Sequence, residues 1–197
     1  MKQLKQFIAE KLHISNYQKY KYHPKTKDEL KKLIDKLIKE RGNKADLNDI
    51  DTSKITDMNV MFLNSKFNGN ISMWDVSNVE NMHSMFEYSE FNGDISKWNV
   101  SNVENMQGMF NNSEFNKDIS EWDVSNVENM ECMFSNSEFN RDISKWNVKN
   151  VKYMQYMFNS SKFNRDISKW DVSNVENMYC MFNYSPLEKN PPKWYKK

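Results

Sequence analysis

The sequence predicts an α/β solenoid: a leucine-rich-repeat-like curved stack of six 24-residue units behind an N-terminal helical cap. Three observations carry this expectation. The six tryptophans stand at Trp74, Trp98, Trp122, Trp146, Trp170 and Trp194, 24 residues apart every time. The pairs Met61-Phe62, Met85-Phe86, Met109-Phe110, Met133-Phe134, Met157-Phe158 and Met181-Phe182 keep the same register. Reading down the columns gives [DN]-V-S-N-V-E-N-M-x-x-M-F-x-x-S-x-F-N-x-D-I-S-x-W, seen cleanly from Asp75 to Trp98. All six Trp and twelve of the fourteen Met belong to these columns, so the unusual composition counts coils.

The elements follow in chain order. Residues 1–50 form the cap. A short helix is expected over Lys2 to Leu12. A second is marked by the capping box Thr26-Lys-Asp-Glu29, the stripe Leu30, Leu33, Ile34, Leu37 and Ile38, and Gly42 as C-cap. Leu47 and Ile50 fall in the columns of Ile95 and Trp98, a degenerate half-repeat. Residues 51–194 are the six units. In each, Ser77-Asn-Val-Glu80 reads as a capping box opening a short helix that buries Val79, Met82, Met85 and Phe86. A short parallel strand is placed at Ile95 to Trp98. Strands stack about 4.8 Å apart and helices about 8 to 10 Å, so the stack is expected to curve. The column Asn78, Asn102, Asn126, Asn150 and Asn174, and the column Asn68, Asn92, Asn116, Asn140 and Asn164, are expected to bond the backbone of adjacent coils. Pro191 and Pro192 replace the Ile-Ser of the last unit and remove amide donors from its strand. Residues 195–197 are a basic tail.

The segments WDVSNVENMHSMF and FNGDISKW resemble the BspA-like family of bacterial leucine-rich-repeat-like surface proteins, whose repeat also occurs in mycoplasma lipoproteins. The resemblance covers Asp51 to Trp194. It implies an LRR-like solenoid that binds proteins, often at a cell surface, and it implies no enzyme activity. Neither a signal peptide nor a lipobox cysteine nor an anchor is read at the ends, so a cytoplasmic location is expected, with the cell surface as the alternative from the resemblance.

Composition narrows the function classes. Lys+Arg 28 against Asp+Glu 27 excludes a uniform polycation or polyanion, although residues 1–50 carry +6 and the units −7. The cap shows no nucleic-acid motif, so nucleic acid is not an expected partner. His13, His23 and His83 form no catalytic set with Ser, Cys or Asp, and Cys132 and Cys180 lie two coils apart, so neither enzyme activity nor a metal or cofactor is expected. The aspartate column Asp94, Asp118, Asp142 and Asp166 reads as turn residues rather than calcium ligands. A protein partner is expected, bound by a monomer where columns vary. Lys117, Arg141 and Arg165 share one column with Lys189, and Lys145 and Lys169 share another with Lys97 and Lys193, giving a basic double stripe offset by Glu90, Glu114 and Glu138. The fifth unit departs furthest: Lys149 and Lys152 replace Ser and Glu, a charge the dipole of the expected helix disfavours, and Tyr153 and Tyr156 stand near Tyr179 and Tyr184 of the sixth. These eleven positions, from Lys117 to Tyr184, are the candidate partner-binding residues. The function expected is a non-catalytic protein-binding scaffold. The alternatives are an intracellular inhibitor or antitoxin of a nucleic-acid enzyme, and a surface adhesin.

Overall fold

The structure is a computed structural model and describes residues 20–196. The helix expected over Lys2 to Leu12 lies outside the described residues. Helix α1, Lys27–Arg41, forms where its capping signals stand. Thr26 Oγ1 accepts the Glu29 N–H, and Gly42, at φ 84°, donates its N–H to the Ile38 carbonyl at 2.8 Å. Asp28 and Glu29 sit in the first turn and Lys39 and Arg41 in the last, each sign matching the helix dipole. Leu30, Ile34 and Leu37 are fully buried in an apolar cluster that continues through every unit to Phe182.

The units pair in register, one above the next. Asp57, Asn81, Asn105, Asn129, Tyr153 and Asn177 make a single file of parallel bridges, each step 24 residues. Asp46 with Asn70 and Tyr22 with Ile50 extend parallel pairing into the cap.

The helix expected in each unit is not there. The chain turns instead: Met85 N–H bonds the Met82 carbonyl, Glu87 that of Ser84 and Ser89 that of Phe86, at 3.2 to 3.3 Å. Ser84 and Tyr88 have φ 51° and 53°, which makes the first and third of these type II turns. The intervening amides leave the unit altogether. Met82, Ser84, Phe86 and Tyr88 donate to the carbonyls of Asn105, Gln107, Met109 and Asn111 in the next unit, at 2.8 to 2.9 Å. Helices need about 8 to 10 Å between axes, whereas the Phe86 and Phe110 rings lie parallel at 5.6 Å between centroids. Pairing at strand spacing and stacking at ring spacing therefore exclude a helix. With no wide helices beside narrow strands, nothing in the spacing makes the stack curve.

The strand expected at Ile95–Trp98 is also a turn, closed by Trp98 N–H to the Ile95 carbonyl at 3.1 Å. Asp94 Oδ1 accepts the Ser96 N–H inside it. The tryptophan does its work across coils: the Trp98 indole N–H donates to the Ile71 carbonyl, and Trp122, Trp146 and Trp170 repeat the bond to Ile95, Ile119 and Ile143. Trp74 makes the same bond to the Leu47 carbonyl, so the segment before the first unit takes the place of a coil.

Both asparagine columns act between coils. Asn78, Asn102, Asn126 and Asn150 donate their side-chain amides to the carbonyls of Ser53, Ser77, Ser101 and Ser125. Asn92, Asn116, Asn140 and Asn164 donate backbone N–H groups to the side-chain oxygen of the asparagine one coil earlier, at 3.0 to 3.1 Å.

The far end is finished differently from the expectation. Pro191 and Pro192 lie in the turn segment, not in a paired strand, and so remove no ladder donor. A 3₁₀ turn, Pro186–Glu188, puts Glu188 Oε2 on the Tyr184 N–H, and the Tyr195 ring lies edge-on to Phe182 at 4.9 Å.

Candidate functional site

In the turn segment Ser84 is buried along with its apolar neighbours. Met82, Met85, Phe86 and Ser89 are buried, while His83, Glu87 and Tyr88 reach solvent. The outward columns of His83, Glu87 and Tyr88 vary between units, and so does the column of Ser84, which is buried at Ser84 and half-buried at Cys132 and Tyr156.

The tyrosines single out the last two units. Tyr156 and Tyr179 meet edge to face at 5.6 Å between ring centroids, and Tyr179 is 65% exposed. Tyr153 takes the bridge position that asparagine holds in the units on either side and is 39% exposed. Tyr184, 79% exposed, stands one turn further along the last unit. Tyr156 and Tyr184 hold φ 57°, a left-handed conformation that costs a bulky residue about 1 kcal/mol or more. Tyr184 is thus both exposed and strained, Tyr156 strained and half-buried, and Tyr179 exposed on an ordinary backbone.

Lys149 and Lys152 carry no helix-dipole penalty, because no helix begins there. The column of Lys152 is Thr56, Glu80, Glu104, Glu128, Lys152 and Glu176, tied backbone to backbone at 2.8 Å per step. Lys152 Nζ bonds Glu128 Oε2 at 2.8 Å, and that bond, with the Glu128 and Glu176 charges, raises the lysine pKa. The substitution breaks a file of like charges. Lys149 replaces Ser, but the group its column uses is the backbone carbonyl, which still accepts the Asn174 amide at 2.8 Å.

A groove of about 900 Å³ runs beside this file, lined by the Asn78-to-Asn174 column and the Glu80-to-Glu176 column. Lys54 and Lys152 stand in it against four glutamates. Stacked side chains one coil apart repeat at about the 4.8 Å strand spacing, so Glu80, Glu104 and Glu128 present a regular acidic edge. Sequence reasoning assigned these glutamates to capping boxes and missed the groove. The available signal was the repetition of one charge at a fixed column, which a stack makes adjacent.

The basic double stripe is brought together with carboxylates. Arg141 Nε donates to the Asn116 carbonyl at 2.9 Å and Arg165 Nε to that of Asn140 at 3.0 Å. Arg141, Lys145 and Arg165 share a cleft of about 350 Å³ with Asp118 and Asp142. Lys169 stands with Asp142 and Asp166 in the next, and Lys145 pairs with Glu121 at 3.7 Å. Lys117 lies beside Asp94 and is exposed. The aspartates hold their charge firmly: the Ser96, Ser120, Ser144 and Ser168 backbone N–H groups, then the same hydroxyls, keep Asp94, Asp118, Asp142 and Asp166 below the ordinary carboxylate range.

Cys132 and Cys180 are free thiols at left-handed positions. Burial, with Glu131 and Glu87 nearby, pushes Cys132 up to about 11, leaving it protonated and unreactive at neutral pH. Among the described residues no group of three or more His, Cys, Asp or Glu is gathered that could hold a metal ion, and no helix is long and apolar enough to cross a membrane.

A family model described as "Mycoplasma protein of unknown function, DUF285" matches residues 29–138 and again residues 89–194. The matches overlap, as a 24-residue register permits. No curated protein and no solved structure matches the chain.

Proposed function

The chain belongs to this Mycoplasma repeat family, and from that premise we propose that it is a non-catalytic solenoid scaffold that binds a protein partner through the turn face of its fifth and sixth units. The observation that supports this is the gathering of Tyr153, Tyr156, Tyr179 and Tyr184, in part strained and largely exposed, on adjacent coils. Rigid amphipathic rings supply contact area at little entropic cost, and such residues dominate interface energies. Lys149 and Lys152, on the neighbouring columns, give the same surface a basic border. The BspA-like resemblance of the unit motif points the same way, toward recognition rather than reaction.

The test is capture from source-cell lysate with the purified chain and with a Tyr156→Ala, Tyr179→Ala double variant. A partner retained by the first and lost from the second, with Tm unchanged within a few degrees, is the expected result. Equal capture by both would overturn the reading.

A second reading has its own observation. The acidic edge of Glu80, Glu104 and Glu128 along an open groove suits a basic cleft, as an inhibitor of a nucleic-acid enzyme would need. In that case the captured partner is basic, releases steeply with salt, and is insensitive to the tyrosine substitutions.

A further inference from the structure

Each unit receives the next through one constant set of backbone groups. The Glu80 carbonyl accepts the Glu104 and Asn105 N–H groups, at 2.8 and 3.3 Å, and the Met82 and Ser84 N–H groups donate upward at 2.9 and 2.8 Å. The same set recurs at 104, 106 and 108, at 128, 130 and 132, and at 152, 154 and 156. In the sixth unit it is formed by the Glu176 carbonyl and the Met178 and Cys180 N–H groups, and among the described residues nothing bonds to these three. Asn177 is bridged from below by Tyr153 and, among the described residues, by nothing from above.

The side chains around this edge change with it. Val76, Val79 and Met82 and their equivalents through Val148, Val151 and Met154 are at most 1% exposed, whereas Val172, Val175 and Met178 are only partly buried. Glu188 occupies the Tyr184 N–H, and Phe182 is buried beneath Tyr195. What stays open is a short strand edge, Glu176 to Cys180, with an apolar flank and the Tyr179 ring beside it.

We propose that this edge takes an extended segment of a partner protein by parallel backbone pairing, so that the partner's strand stands where a further coil would stand. The polarity of the edge identifies the occupant. The Glu176 and Asn177 N–H groups bond back to Lys152, leaving two outward donors, Met178 and Cys180, and one outward acceptor, the Glu176 carbonyl, so the incoming chain supplies carbonyls to Met178 and Cys180 and one or two N–H groups to Glu176, with apolar residues over Val175 and Met178. A second copy does not fit. Edge to edge, two copies bring four donors and two acceptors and leave donors unmatched, and at the other end helix α1 packs on the stack, its Leu30, Ile34 and Leu37 sharing the buried cluster. Strand addition at a sheet edge is a recurring mode of peptide capture, with affinity from the backbone and selectivity from the flanking side chains. The inference rests on the binding role proposed above and adds to it the backbone contact.

The experiment uses the full chain, isotopically labelled, and a synthetic peptide DVSNVENMHSMFEYS, the chain's own segment 75–89, which in the stack pairs on the preceding coil in this manner. Amide exchange of Met178 and Cys180 is followed by NMR as peptide is added to millimolar concentration. Slowing of about tenfold at these two amides, with no change at Met106 or Met130, is the expected result. The same peptide N-methylated at the residue over Asn177 should lose the effect, and Val175→Lys should weaken it while leaving Tm within a few degrees. No slowing, or slowing that survives N-methylation, overturns the proposal. The tyrosine double variant keeps the edge: a partner lost with the tyrosines while the peptide fails to bind sinks the edge alone, and peptide binding without any tyrosine-dependent partner sinks the scaffold surface alone.

Discussion

At the scale of the residue, the coil depends on two left-handed positions that are almost never glycine. Val60, Ser84, Cys132, Tyr156 and Cys180 hold φ from 51° to 57° in the first column, where only Gly108, at 62°, is free of a Cβ. The second column holds Asn64, Tyr88, Asn112, Asn136, Ser160 and Tyr184, φ 50° to 57°. Asparagine tolerates this region, whereas tyrosine and valine do not. Tyr88 is exposed, so Tyr88→Gly removes the strain without opening a cavity and adds some unfolded-state entropy. The net expectation is stabilisation of up to about 1 kcal/mol. Gly108→Ala carries the opposite sign: its Cβ takes on the left-handed cost and approaches Ser84 Oγ to 3.1 Å, for a loss of about 1 kcal/mol. Paired urea denaturations of the two variants decide it. Equal midpoints for both would mean that the neighbouring coil, and not the local backbone, sets the conformation.

At the scale of the element, the repeat's period and its columns were legible while its secondary structure was not, and the turn segment explains why. Buried Met82, Met85, Phe86 and Ser89 recur with a four-residue rhythm that, over eight residues, cannot be told from a helix period of 3.6. The glycines that would announce type II turns are missing except at Gly108, so the strained residues hide the signal. Ser77 and Glu80 likewise imitate a capping box, yet Ser77 gives its N–H and hydroxyl to Asp75 Oδ1 and Glu80 faces the groove. Helix α1 was legible because fifteen residues with both caps admit one reading. The tyrosine surface was legible as a break in pattern; the groove was not, since adjacency across coils appears only when the stack is built. The aspartate turns give this scale its prediction. Asp94, Asp118, Asp142 and Asp166 titrate below their unfolded value of 3.8, chiefly because serine amides bond the charged form. Their stabilisation is complete above that unfolded value and is lost as pH falls through the lower folded values. Melting temperature should thus be insensitive to these groups from pH 5 to 8 and decline from about pH 4 downward. Replacing all four by Asn keeps the acceptor oxygen, as Asn99 and Asn147 already do at another turn, accepting the N–H groups of Ser101 and Lys149. The variant should show a shallower acid decline than the parent, and an identical decline would remove the aspartates from the account.

At the scale of the whole molecule, each coil is held by its neighbours, so a side chain's worth depends on its place in the stack. The phenylalanine files run unbroken from Phe62 to Phe182 and from Phe67 to Phe163, with successive centroids 5.4 to 5.9 Å and 6.2 to 6.4 Å apart. The tryptophans add one hydrogen bond per step, and every one crosses from one coil to the coil before it. In an array of this kind stability is the sum of unit terms and nearest-neighbour interface terms. Trp122 is buried at mid-stack and bonds the Ile95 carbonyl at 3.1 Å; Trp194 makes the equivalent bond to Ile167 at 3.0 Å from a partly buried position at the end. Trp122→Phe leaves a buried carbonyl without its donor, at a cost of about 1 to 3 kcal/mol. Trp194→Phe leaves one that water can reach, for less than about 1 kcal/mol. The central change also weakens the coupling between two halves of the array. Its denaturation curve should broaden as well as shift, with a lower m-value than the parent's, while the terminal change moves the midpoint slightly and leaves the slope alone. Equal costs and equal slopes for the two substitutions would mean that the chain unfolds as one unit without nearest-neighbour weak points, and the additive description of the stack would have to be given up.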